Sequence, residues 1–182
     1  MKDTALLVID IQRGAFDAQR CPPIDRAAEL VERANALIDA ARTSGTPIVF
    51  VQHASEPGDV FEAGSVHAEL HESFGPRPDE RVVQKWESSA FDGTDLQAHL
   101  QGLGVKQVVV CGLQSEFCVS NTSRSALALG YLVQLAADGH STWPSGGRTS
   151  QAISDEVNVA LQAAGAVLQP TAALAAAIEG RP

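Results

Sequence analysis

Three residues of this sequence carry side chains that could do covalent chemistry together: Asp10, Lys85 and Cys118. Asp10 closes the apolar run Ala5-Leu6-Leu7-Val8-Ile9, and Lys85 follows Val82-Val83. Cys118 ends Gly112-Leu113-Gln114-Ser115-Glu116-Phe117-Cys118, between an apolar run and a helix-like one. A thiolate is a nucleophile favoured by positive charge nearby. A helix N-terminus and a lysine both supply such charge. An aspartate can take the thiol proton and later return it to a leaving group. Main-chain N–H groups around Gln114 and Cys118 could bind an oxyanion. Each residue also has an ordinary reading. An aspartate ending a strand is often a turn residue, a lysine after an edge strand is usually solvated, and a free cysteine is most often a small core hydrophobe. Their shared position at strand ends is what joins them.

The elements that would hold them alternate. Ala5–Ile9, Ile48–Val51, Val82-Val83, Gln107–Cys111, Leu132–Ala136 and Val167-Leu168 read as short strands, with Gly112 ending the fourth. Ala5–Ile9 is apolar on both faces, as a central parallel strand requires. Helical spacing recurs in Ala27, Leu30, Val31, Ala34, Leu37, Ile38 and Ala41. Further helices are read from Thr94 or Asp95 to Leu103, over Val119–Leu129, over Ser150–Ala164 and from Thr171 onward. Residues 53–80 form one long loop with room for a helical turn, and so long a connection is usually functional.

This alternation gives an α/β fold: a doubly wound, Rossmann-like, six-stranded parallel sheet with helices on both faces. The expected strand order is 3-2-1-4-5-6, in a single domain over residues 1–182. Ligands of such sheets bind beyond the carboxyl ends, where the connections diverge. Asp10 and Cys118 then straddle that crevice, with Lys85 within reach.

The chain of 182 residues carries a net charge of −9. Such a surface repels phosphate backbones and anionic lipid, so neither nucleic acid nor membrane is an expected partner. Three cysteines without a CxxC spacing argue against a disulfide framework or structural zinc. Cys111 reads as core and Cys21 as a loop residue. No stretch has signal-peptide or membrane-span architecture, and the expected location is the cytoplasm. A GxGxxG or Walker A loop is absent, so a nucleotide cofactor has no support.

Three segments together resemble a known family. Leu6-Leu7-Val8-Ile9-Asp10-Ile11-Gln12 is similar to its opening signature, and Lys85-Trp86-Glu87-Ser88-Ser89-Ala90-Phe91 to its second segment. Gly112 to Val119, with Thr122, Arg124, Ala126, Gly130 and Tyr131, resembles its cysteine motif. The family is the isochorismatase-like cysteine hydrolase superfamily. It includes nicotinamidases, N-carbamoylsarcosine amidases, ureidoacrylate and biuret hydrolases, streptothricin hydrolase, and isochorismatases that lack the cysteine.

The resemblance implies a triad of Asp10, Lys85 and Cys118, and an oxyanion hole of Gln114 and Cys118 N–H groups. It also implies a cis peptide at Leu113–Gln114. Ser115 stands where threonine is commoner in the family, and keeps the hydroxyl. Nicotinamidases of this family bind a divalent metal through an Asp-x-His pair after the second strand. Here the matching residues are Val51-Gln52-His53, so the aspartate is missing. His67 and His71 have a metal-compatible spacing if helical, but they read better as loop histidines beside the cleft. No metal and no other cofactor is expected. Gln12, Phe16, His53, Trp86 and Phe117 are candidate substrate-binding residues, with ordinary packing as the alternative. Asp138 reads as a residue that caps and orders the last crevice loop.

The expected function is cleavage of a non-peptide C–N bond in a small molecule through a thioester. The segment before Cys118 is nearer to streptothricin-hydrolase-like members than to nicotinamidases. Two alternatives stand beside it: an isochorismatase-type vinyl-ether hydrolase, echoed by Trp86 after Lys85, and a non-catalytic binding protein of the same fold. The family resemblance and the long loop also imply a homo-oligomer, with neighbouring subunits meeting near the cleft.

Overall fold

The structure, a computed structural model, describes residues 3–180. Six strands form one sheet: β1 (Thr4–Ile9), β2 (Ile48–His53), β3 (Arg81–Lys85), β4 (Gln107–Leu113), β5 (Leu132–Ser141) and β6 (Val167–Gln169). All neighbours pair in parallel, in the order β3-β2-β1-β4-β5-β6. This is the order expected from the alternating pattern. The helices are α1 (Ala27–Ser44), α2 (Leu96–Gly102), α3 (Ser120–Ala128), α4 (Ser150–Ala163) and α5 (Thr171–Glu179).

Strand β1 is central because every one of its six residues can be buried, and all are. Alternate side chains then feed two cores. Leu6 and Val8 join Leu30, Leu37 and Ile38 of α1 and Leu174 and Ile178 of α5. Leu7 and Ile9 join Leu96 and Leu100 of α2, Ala126 of α3, and Val157 and Leu161 of α4. Helices thus cover both faces of the sheet. Among the described residues, no helix is long and apolar enough to cross a membrane.

The site depends on how closely β1 and β4 approach. Ile9 pairs with Gly112, whose φ is 130°. A Cβ on Gly112 would lie 2.0 Å from the Ile9 main-chain oxygen. No rotamer relieves a clash between backbones, so Gly112→Ala should destabilise by more than about 4 kcal/mol or prevent folding. Urea denaturation checks this; a midpoint near that of the parent chain would contradict it.

The sequence reading needs correcting at several points. Strand β4 runs on to Leu113 instead of stopping at Gly112, and β5 runs on to Ser141. A register shift between Val110 and Gly112 lets the two strands pair again, with Gly112 opposite His140 and Leu113 opposite Ser141. The helix read from Val119 starts as a π-helical turn, Ser115–Val119, before α3. At the start of α2, of the two residues offered as caps, Asp95 holds the cap position but its side chain pairs with Arg81, and Thr94 Oγ1 accepts from Leu96 N at 3.2 Å. Asp138 orders no crevice loop. It lies within β5, and its Oδ1 accepts from Thr171 N (2.7 Å) and Thr171 Oγ1 (2.8 Å), fixing the start of α5.

Candidate active site

The carboxyl ends of β1, β3 and β4 bring the three reactive residues together. Asp10 follows β1 with φ 51°, a left-handed conformation uncommon outside glycine and concentrated at functional sites. Lys85 is the last residue of β3, and Cys118 lies in the π-helical turn after β4. Such turns recur at functional sites.

Lys85 Nζ stands 2.8 Å from Asp10 Oδ2, 3.2 Å from Cys118 Sγ and 3.0 Å from His53 Nδ1. Lys85 and Asp10 are each only 1% exposed. The lysine after the edge strand is therefore not solvated; its ammonium reaches Asp10, Cys118 and His53. Besides the Lys85 ion pair, the Asp10 carboxylate is within hydrogen-bond reach of the Cys118 thiol.

Burial raises the pKa of Asp10, and the Lys85 charge opposes that rise. Burial, with the Asp10 charge behind it, pushes the Cys118 thiol up to about 12. That direction favours the thiol over the thiolate, against the pull of the helix turn and Lys85. A dry wall and a neighbouring anion outweigh both. The two shifts are linked. If Asp10 takes the thiol proton, its own charge vanishes and the new thiolate faces Lys85 alone. The trio's net charge is zero before and after the transfer.

The turn that carries Cys118 is anchored by a buried polar chain. Asn158 Nδ2 donates to Ala137 O (2.9 Å), which turns its Oδ1 toward His140 Nε2 (3.0 Å). His140 Nδ1 is then the acceptor from Ser115 Oγ (2.8 Å), and Ser154 Oγ donates to Ser115 Oγ (3.0 Å). Burial lowers the His140 pKa, consistent with the neutral ring this chain needs. The Ser115 hydroxyl is fully used, so serine serves here. The peptide bond Leu113–Gln114 is cis.

In front of the trio lies a cavity of about 370 Å³, lined by Asp10, His53, Ser55, Asp59, Val60, Phe61, Ser88, Gln114, Phe117, Cys118 and Trp143. Of the residues singled out in the sequence, His53, Phe117 and Gln114 are brought together at its wall. Gln12 does not line it. Its side chain is buried and spent as a strut: Nε2 donates to His53 O (2.9 Å) and Ala68 O (2.8 Å), and Oε1 accepts from His53 N (2.8 Å). Phe16 faces a different cavity, with His67 and His71. Trp86 is 54% exposed and outside the cavity wall. The reading missed Ser55, Asp59, Val60, Phe61, Ser88 and Trp143. Most lie on loops whose paths follow from distant contacts, such as Trp143 Nε1 donating to Pro22 O.

The nicotinamidase type of metal site is not reproduced. Val51 is buried among apolar residues, His67 Nδ1 pairs with Asp17 (2.6 Å), and His71 Nδ1 with Ser73 (3.0 Å). Asp10, His53 and Cys118 do offer ligand atoms within 4.8 Å of one another. The Lys85 ammonium already contacts all three, so a second cation there would meet a like charge at its centre. These residues do not fit a metal ion.

An acid, an ammonium and a thiol meet at the crevice of a doubly wound sheet, which defines the class of protein this is: an α/β fold of Rossmann-like topology with a cysteine-bearing turn after its fourth strand. The isochorismatase domain model matches residues 4–169, and the chain belongs to that family. Streptothricin hydrolase of Streptomyces noursei is 40% identical over 139 residues, which is 76% of this chain but 50% of that protein. The chain thus matches only half the length of that relative. An uncharacterized isochorismatase family protein of Bacillus subtilis (strain 168), YddQ, is 37% identical over 76% of this chain and 78% of its own length. The crystal structure of an isochorismatase from Pseudomonas putida KT2440 superposes with a TM-score of 0.87 at 28% identity, over 94% of this chain and 89% of that one.

Proposed function

We propose that this protein is a cysteine-dependent amidohydrolase that cleaves a non-peptide C–N bond of a small molecule. The observation that carries the proposal is the Lys85 ammonium, 2.8 Å from Asp10 and 3.2 Å from Cys118, at the wall of a cavity of small-molecule size. The likeness to streptothricin hydrolase supports the same reading.

Asp10 takes the Cys118 proton as Sγ bonds to the substrate carbonyl carbon. Negative charge moves to the carbonyl oxygen, where the Gln114 and Cys118 N–H groups receive it. As the C–N bond breaks, Asp10 hands its proton to the departing nitrogen. A thioester on Cys118 remains. Asp10, ionised again, takes a proton from water as the water oxygen attacks. The C–S bond then breaks and the thiol recovers its proton. Lys85 balances whichever of Asp10 and Cys118 is negative. The substrate class is an amide, ureido, carbamoyl or lactam compound.

An ammonia-release screen over small amides, ureas, carbamoyl compounds and lactams, with amine detection for the lactams, tests this reading. Turnover of at least one class is expected. Turnover of a vinyl ether with none of these would place the protein with the alternative chemistry. The mechanism uses no metal, so activity should survive exhaustive dialysis against EDTA. Loss restored by zinc, iron or manganese would overturn that part.

Self-association belongs to the same proposal. Trp86 and Phe117, both more than half exposed near the cleft, are surfaces that a second copy would cover. Light scattering should give at least twice the 19.1 kDa of one chain; the single-chain mass across micromolar concentrations would contradict it.

A further inference from the structure

The mechanism above uses two partners of Lys85, yet the ammonium has three N–H donors and no acceptor. Among the described residues, the polar neighbours of Nζ are Asp10 Oδ2, Cys118 Sγ and His53 Nδ1, at 2.8, 3.2 and 3.0 Å, so the third donor goes to His53. An ammonium can only donate, so His53 Nδ1 must be unprotonated and the ring proton must sit on Nε2.

His53 is itself held in place from behind. Its main-chain N donates to Gln12 Oε1 and its main-chain oxygen accepts from Gln12 Nε2. The ring stands edge-on to Phe61, with centroids 6.3 Å apart. It lines the cavity, and Nε2 has no partner among the described residues. The charged groups around it are Lys85, which opposes a positive ring, and Asp10, Asp59 and Glu87, which favour one; burial and Lys85 prevail.

We propose that His53 is a positioning residue: it binds the third N–H of the Lys85 ammonium, and the tautomer this enforces offers its Nε2–H to a hydrogen-bond acceptor on the substrate. One histidine thereby ties the charge balance of the nucleophile to the recognition of the molecule it attacks. The trio Asp10, His53 and Cys118, which resembles a metal-ligand set, is a cage for a protein cation instead. The proposal deepens the amidohydrolase reading and rests on it for the substrate-facing role.

Two measurements test it on the intact protein. Long-range proton–nitrogen NMR correlation at neutral pH, with the His53 signals assigned by their absence from His53→Gln, should show a single Nε2–H tautomer. A protonated Nδ1, or a mixture of tautomers, would overturn the proposal. The second uses iodoacetamide, a small amide that also alkylates thiols, with mass spectrometry locating the product on Cys118. His53→Leu should slow that alkylation by about tenfold, the scale of one hydrogen bond to a charged group. His53→Asn, whose amide oxygen can replace Nδ1 as the acceptor, should recover most of the loss. Equal rates in the leucine variant and the parent, or no recovery by asparagine, would overturn the positioning role. If no amide is hydrolysed by the parent protein while His53 keeps its single tautomer and asparagine still rescues, the amidohydrolase reading fails and the positioning of Lys85 stands.

Discussion

Cys118→Ala should lose at least about 10³-fold in amide turnover, as nucleophile deletions do when the catalytic groups act as a unit. Its stability should change by no more than about 1 kcal/mol, since the deleted atom is one thiol at a cavity wall. Asp10 and Lys85 keep their 2.8 Å ion pair in the variant, so no buried charge is stranded. Matched circular dichroism and urea midpoints, read beside ammonia release, check both halves. Turnover at the parent rate would remove the nucleophile assignment and favour direct attack by water.

Lys85→Met has the opposite balance, because it should damage both activity and fold. Asp10 is sealed from solvent, and Lys85 is the cation that compensates it. Removing one member of a buried pair typically costs about 3–5 kcal/mol, because the partner charge is left unpaired. Burial already raises the Asp10 pKa, and without Lys85 nothing comparable opposes it. A carboxyl whose folded pKa lies above its unfolded value weakens the fold above the unfolded pKa, most fully once pH exceeds the folded one. The stability lost in Lys85→Met should therefore grow as pH rises from the ordinary aspartate range and shrink on acidification. Adding Asp10→Asn should recover stability and none of the activity, since an asparagine can neither take the thiol proton nor return it. Urea denaturation of the single and double variants at several pH values measures this. A pH-independent deficit, or no recovery in the double variant, would show that Asp10 is not the group Lys85 compensates.

The parts of the fold visible in the sequence are those set by local patterning. Ala5–Ile9 is apolar on both faces because both faces of a central strand meet helices, and the alternation of strand and helix leaves few sheet orders. Asp10, Lys85 and Cys118 were legible because strand ends in such a sheet converge. The cavity was not, because long-range contacts shape it. Gln12 looked like a site residue by its place beside Asp10. Its amide instead bridges His53 and Ala68, 41 and 56 residues away, and no local spacing reports such a partner. Phe16 turns away with the same segment toward His67 and His71. Strand β5 outran its apolar stretch because a register shift lets His140 and Ser141 pair with β4, and the polar His140 is satisfied by the distant Ser115 and Asn158. The helix turn and Lys85 beside the thiol are visible in the sequence, whereas the burial that pushes the thiol up belongs to the folded cavity.

The account's central claim is a covalent bond between Cys118 and the acyl part of the substrate. Acid-quenching the enzyme during turnover of any amide found in the screen, followed by peptide mass spectrometry, tests it most directly. The account predicts an acyl increment on the peptide containing Cys118, lost in Cys118→Ala, and its diversion to a hydroxamate when hydroxylamine is added. Steady turnover that yields neither an adduct on Cys118 nor any hydroxamate would contradict it.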